Sequence, residues 1–183
     1  MKKLLIIISL LSYLYGAETN TTTRDSNLSI DTNQTDINAT EHNATVVKLP
    51  SKVDKLISLA KSKFGSPYLY ANAGPDKFDC SGFVYYVFKT NGIKIPRTSR
   101  NQSKIKGKKL TRKEIKRGDI LFFDTGHRGH VNHSGVYLGK GKFIHASSGK
   151  AKSVTISSLD KGFYPDKFRW GIRKIEENLT VAN

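Results

Sequence analysis

Large apolar residues all but vanish between positions 17 and 48, then recur at regular spacing from Leu49 onward. This break limits what the chain can fold into more than any other feature. A tract dominated by Thr, Asn, Asp and Ser buries too little apolar surface to offset the entropy of ordering it. Residues 17–48 therefore read as a disordered linker. Residues 49–177 amount to one domain with enough chain for a core, and residues 178–183 read as a flexible tail. Ahead of the linker stand Met1-Lys2-Lys3, the apolar run Leu4–Leu14, and the small residues Gly16 and Ala17. That is the form of a secretory signal peptide over residues 1–16. The run is too short to span a bilayer, so no transmembrane segment is expected after its removal. The mature protein is expected across the inner membrane, in the periplasm.

Charge divides along the same line. Residues 17–48 hold two basic and five acidic side chains, whereas residues 49–183 hold 27 basic and 10 acidic, a net of +17. So basic a domain suits a polyanion or an anionic surface. For an exported chain the candidates are cell-wall carboxylates and anionic lipid headgroups. Nucleic acid is not expected as a partner, because the basic residues are scattered and no reading motif is present.

The linker carries a second pattern. Asn-X-Ser/Thr occurs at Asn20, Asn27, Asn33, Asn38, Asn43, Asn101, Asn132 and Asn178. An acidic residue stands two positions earlier at six of these: Asn20, Asn27, Asn33, Asn38, Asn43 and Asn178. The stricter pattern is similar to the acceptor sequence of bacterial N-linked glycosylation. All six lie in the two flexible segments, where acceptors are accessible. Asn101 and Asn132, which lack the acid, lie inside the domain.

Within the domain, Ser51 and Asp54 have the spacing of a helix cap, and Val53, Leu56, Ile57, Ala60 and Phe64 recur at helical spacing up to Gly65. A loop rich in turn formers, Ser66–Phe78, contains Tyr68 and Tyr70. A second helix starts at or just after Cys80, with Phe83, Val84, Val87 and Phe88 as its apolar stripe and Asn91-Gly92 as its end. Ile93–Thr98 is extended and enters a polar stretch through Lys109; Leu110–Arg117 reads as a turn or short helix. Ile120–Phe123 reads as a buried strand. Asn132–Leu138 and Lys142–Ala146 flank Gly139-Lys140-Gly141 and read as a hairpin. Further strands are expected at Ser153–Ser157 and Lys167–Ile175. Helices first and strands later give an α+β fold, not a βαβ repeat.

Cys80 is the only cysteine in the chain. In an exported protein an unpaired thiol needs an explanation. At the first turn of a helix, free N–H groups and the helix dipole favour thiolate over thiol, as a nucleophile requires. His133 and His145 lie on either side of the hairpin turn, near one another across the strand pair, so a Cys–His–polar constellation is available. His127, His130 and His133 form H-x-x-H-x-x-H, but that spacing alternates faces on a strand and Gly129 opposes a helix. Neither metal nor other cofactor is expected.

Six ordered blocks now carry a resemblance. They are Gly65-Ser-Pro-Tyr68-Leu-Tyr70; Phe78-Asp79-Cys80-Ser81-Gly82-Phe83-Val84; Ile95-Pro-Arg97-Thr-Ser99 with Gln102; Gly118-Asp119-Ile120-Leu-Phe-Phe123; His133-Ser-Gly-Val-Tyr-Leu-Gly139; and Phe143-Ile-His145-Ala-Ser147. Together they resemble the NlpC/P60 cysteine peptidases over about residues 51–175. The resemblance implies a papain-like fold, with the helix bearing the nucleophile packed on an antiparallel sheet. It implies hydrolysis of peptidoglycan stem peptides, typically between D-γ-glutamate and a diamino acid. Cys80 would be nucleophile, His133 general base and acid, and His145 its orienting partner. Tyr68 and the backbone at Ser81 would serve the oxyanion, and Arg97 a substrate carboxylate. The expected partners are stem peptides, and the expected state is a monomer. Two alternatives stand beside it: a Cys/His amidase acting on another wall amide, and a silent basic wall-binding module.

Overall fold

The computed structural model describes residues 49–176. The signal segment, the linker, the tail and the six extended sequons at Asn20, Asn27, Asn33, Asn38, Asn43 and Asn178 lie outside the described residues.

Helix α1 spans Lys52–Ser62. Its start follows from two reciprocal bonds. The Ser51 hydroxyl accepts from the Asp54 N–H at 3.1 Å, and the Asp54 carboxylate accepts from the Ser51 N–H at 3.1 Å. Val53, Leu56, Ile57 and Ala60 are buried as their spacing predicts. Phe64 departs from expectation. It lies beyond the helix end, just before Gly65 at φ 82°, and remains 60% exposed.

Helix α2, Cys80–Thr90, buries Phe83, Val84, Val87 and Phe88, and Asn91 caps its end. A further helical turn, α3, covers Ser99–Gln102 behind its cap Thr98. The polar sequence S-R-N-Q offers no periodicity and belongs, by sequence, to the polar stretch that runs through Lys109. Its reason is tertiary. Gln102 is fully buried, donating through Nε2 to the carbonyls of Ser81 and Pro96 (3.0 Å each) and accepting at Oε1 from the Ser134 hydroxyl at 2.9 Å. One amide thereby satisfies groups on three segments, as a buried polar side chain must.

The sheet comprises β1 (Ile120–Phe123), β2 (His133–Gly139), β3 (Lys142–Ala146), β4 (Val154–Ser158) and β5 (Phe168–Ile172), in the order β4-β3-β2-β1-β5. Every neighbouring pair is antiparallel. Ile120, Phe122, Val136, Ile144, Ala146, Val154 and Ile172 join α1 and α2 in one cluster; Leu121, Phe123 and Phe143 join Leu110, Ile115 and Leu159 in a second. β1 is thus buried on both faces, which explains its unbroken apolar run. The last strand is shorter than the expected Lys167–Ile175; Ile175 lies beyond it, still buried. The result is α+β, with helices on one sheet face and loops over the other.

Candidate active site

Cys80 is the first residue of α2, and its position is set by its neighbours. Asp79, extended at φ −88°, caps the helix by accepting from the Gly82 N–H at 2.7 Å and from the Ser81 hydroxyl at 3.1 Å. Arg97 clamps the same carboxylate. Its Nη1 donates to Asp79 Oδ1 at 3.0 Å and to Ser81 Oγ at 3.1 Å, and its Nη2 pairs with Oδ2. Gly82 permits a close approach: a Cβ there would strike the Asn72 carbonyl and Ala73 Cα. That carbonyl accepts from the Asp79 N–H at 2.8 Å, pinning the preceding loop against the first helical turn.

The expectation of a ready thiolate is reversed. Burial first, and then the Asp79 carboxylate, push the Cys80 thiol up, against the N–H groups of Ser81, Ser134 and Cys80 itself. The dipole contributes only the partial charges of the first turn, and here its cap places a carboxylate beside the sulfur. The structure holds a thiol.

The sulfur lies 3.9 Å from the carbonyl of Asn132 and meets the N–H of Ser134, so it rests against the backbone on either side of His133. His133 opens β2. The register Val136↔Ile144 brings His145 alongside Gly135, two residues further along. Because residue 135 has no side chain (a Cβ would sit 3.1 Å from that of His145), His145 leans across to its diagonal neighbour. His133 Nε2 and His145 Nδ1 are 2.9 Å apart, and His145 Nε2 is 2.9 Å from the Ser157 hydroxyl on β4. Aromatic rings enclose the pair. Tyr164 stacks on His133 (5.8 Å, 25°) and meets His145 edge-on (5.1 Å), while Phe143 stacks on His145 (4.8 Å, 28°). Burial lowers His133 to about 4, and burial followed by the neighbouring His133 holds His145 well below the usual imidazole range. Both rings are therefore neutral at pH 7.

Tyr68, Ser81, Arg97 and Asn132 border a cleft of about 430 Å³ with Cys80. Burial above all raises the Tyr68 phenol, which borders the same cleft. Arg97 reaches this cleft, but its guanidinium is already spent on Asp79 and Ser81. His127 and His130 stay apart from the pair: His127 lies 3.3 Å from Asp166, and His130 Nδ1 lies 3.1 Å from the Arg128 carbonyl. Among the described residues no three His, Cys, Asp or Glu side chains are grouped to hold a metal ion, and no helix is long and apolar enough to cross a membrane. Asn132 accepts at Oδ1 from the Thr125 N–H at 2.9 Å, so this sequon side chain is engaged in the fold.

Sequence reasoning missed Asp79 as a clamp, although an acid just before a helix start is a legible cap. It also missed Ser157, Tyr164 and Gly135, for which nothing local signals proximity to the imidazoles.

Compared with known proteins, residues 65–173 match the NlpC/P60 family. The chain belongs to that family. Among its curated relatives, the Gamma-DL-glutamyl hydrolase of Bacillus subtilis is 37% identical over 69% of this chain and 30% of its own. Murein DD-endopeptidase MepH of Escherichia coli is 38% identical over 72% and 50%. The chain thus spans half or less of these relatives. Among solved structures, an NlpC/P60 family protein from Bacillus cereus is 35% identical, with a TM-score of 0.61 covering 69% of this chain and 41% of that one. The α+β architecture is therefore that of the family.

Proposed function

We propose that the domain is a cysteine peptidase acting on peptidoglycan stem peptides at the D-γ-glutamyl–diamino acid bond, with Cys80 as nucleophile, His133 as base and His145 as its orienting partner. The observation that carries this reading is the contact of the Cys80 sulfur with the backbone on both sides of an imidazole whose Nε2 is held by a second imidazole. The relay can run in two directions, and one is catalytically useful. If His133 Nε2–H donates to His145 Nδ1, and His145 Nε2–H donates to Ser157 Oγ, the lone pair of His133 Nδ1 is left basic.

A neutral thiol and a neutral imidazole can then react in sequence. His133 Nδ1 takes the thiol proton as sulfur attacks the amide carbonyl. N–H groups at the start of α2 and the Tyr68 hydroxyl stabilise the oxyanion. The imidazolium protonates the leaving amine as the C–N bond breaks. Water, deprotonated by His133, then releases the acyl group from sulfur as the free acid. Arg97 contributes by holding Asp79 and Ser81 at the start of α2.

Similarity to MepH favours a second reading, a D,D cross-link as the scissile bond. Digestion of defined muropeptides, read by mass spectrometry, decides between them. Fragments ending in γ-D-glutamate support the first reading, and cross-linked dimers reduced to intact monomers support the second. Bare glycan with whole peptides indicates an amidase and overturns both. The same reading places the protein outside the inner membrane as a monomer. Glycans at Asn20, Asn27, Asn33, Asn38, Asn43 and Asn178 are part of this proposal, and an intact mass of native protein equal to the bare polypeptide removes them.

A further inference from the structure

A second cleft, of about 480 Å³, adjoins the first, and His133 borders it together with Ser147, Ser148, Lys150, Phe163 and Tyr164. Tyr68 lines the Cys80 cleft, and its N–H donates to the Lys152 carbonyl, in the turn that carries Ser148 and Lys150 of the other. For a cysteine hydrolase this division has chemical meaning. The acyl carbon must stand at the sulfur, whereas the departing nitrogen must lie where the imidazolium can protonate it. What leaves therefore extends to the His133 side.

The two clefts differ in charge. The Cys80 cleft contains Asp79 already paired with Arg97. No carboxylate lines the second, and its one formal charge is the ammonium of Lys150. Lys150 is exposed, and among the described residues no ion pair engages it. It is placed by an anchored turn between β3 and β4: Ser147 N–H donates to the Ser153 carbonyl at 2.9 Å, Lys152 N–H to Gly149 at 3.1 Å, and Tyr68 N–H to Lys152 at 2.8 Å. Phe163, 56% exposed, and Tyr164 supply an apolar wall suited to an aliphatic stem.

We infer that this second cleft is the leaving-segment subsite, selecting a diamino acid segment whose free carboxylate pairs with Lys150 while its aliphatic stem lies against Phe163 and Tyr164. The inference rests on the cysteine-peptidase reading above and adds to it which end of the substrate must be charged.

The test compares L-Ala-γ-D-Glu-L-Lys-D-Ala with its C-terminal amide, using the full chain and Lys150→Gln. The full chain is expected to favour the free acid by roughly tenfold in kcat/KM, the value of one hydrogen bond to a charged group. Lys150→Gln is expected to bring the ratio close to one. A parallel titration measures binding of the leaving fragment alone, L-Lys-D-Ala, to Cys80→Ala protein with and without Lys150→Gln. Weaker binding without Lys150 upholds the site, and if the full chain then cuts neither peptide it is the hydrolase reading that falls. Cleavage that ignores the C-terminal charge overturns the subsite and leaves the hydrolase reading standing. Fragment binding that is absent, or indifferent to Lys150, overturns the subsite as well.

Discussion

The two sides of the candidate site are built by different physics. On the Cys80 side, four consecutive residues and one arginine form a polar clamp: Asp79 caps α2, Ser81 and Gly82 bond to it, and Arg97 closes it. On the histidine side, residues from β2, β3 and β4 and from the following loop meet inside aromatic walls. The first is held by charge and local geometry, the second by strand register and exclusion of water. The sulfur is consequently surrounded by fixed dipoles, while the imidazoles are kept neutral until a proton arrives. Position and proton affinity are thus controlled by separate parts of the fold.

The comparison breaks most visibly at the proposed nucleophile. Cys80→Ala is expected to lower turnover by about 10⁴-fold or more while leaving the unfolding transition nearly unchanged; undiminished turnover would remove Cys80 as nucleophile, and wall binding with no turnover in either protein would leave the wall-binding alternative. His145→Ala should cost about 10³-fold in kcat with a smaller change in KM, because His133 loses the partner that directs its basic nitrogen.

Acid should separate the two sides. His133 is held at about 4 against 6.5 for the free side chain, so between those values the unfolded chain takes up a proton that the folded one refuses. Stability then falls with pH across that window, by on the order of 3 kcal/mol at completion. Denaturant titrations from pH 7 to 4.5 should show this decline, and His133→Gln should make it shallower, with the lowered His145 supplying what remains. The lowered carboxylates of Asp54, Glu114 and Asp124 act only further into acid, as pH falls toward about 2.

Asp79→Asn keeps a helix cap but strands Arg97. It should cost about 2 kcal/mol, below the range for a fully buried pair because Arg97 is a third exposed. Removing the carboxylate should also lower the thiol's pKa, readable from the pH dependence of alkylation. The smallest effect is expected for Tyr164→Leu, about 1 kcal/mol of lost ring contact. Its specific signature is an upward move of the His133 titration, measured by NMR, as water reaches the ring.

The start of α2 was largely legible in the chain, although the Asp79–Arg97 clamp was not. Helical spacing from Phe83 to Phe88, an acid before it and a lone thiol at its start all act within a few residues, and α2 forms where they place it. The pairing of His133 with His145 was also readable, because a short glycine-rich turn brings the two ends of a hairpin together. The thiol's protonation was misread. The sulfur is covered by the backbone of Asn132 and Ser134, more than fifty residues away in the chain, and no local pattern reports that. Phe64 was misassigned for a similar reason, since periodicity does not say where the helix stops.

Residue order alone determined the domain's composition, the helix–strand sequence, the cap at Asp79 and the histidine hairpin, because each depends on interactions spanning a few positions or one turn. Only the tertiary structure decided that β5 pairs with β1, that α3 exists to seat Gln102, and that Ser157 and Tyr164 complete the imidazole environment. The same holds for the two clefts bordered by Cys80 and by His133. These features depend on which surfaces meet after long loops close, and that choice is made by the packing of both sheet faces together.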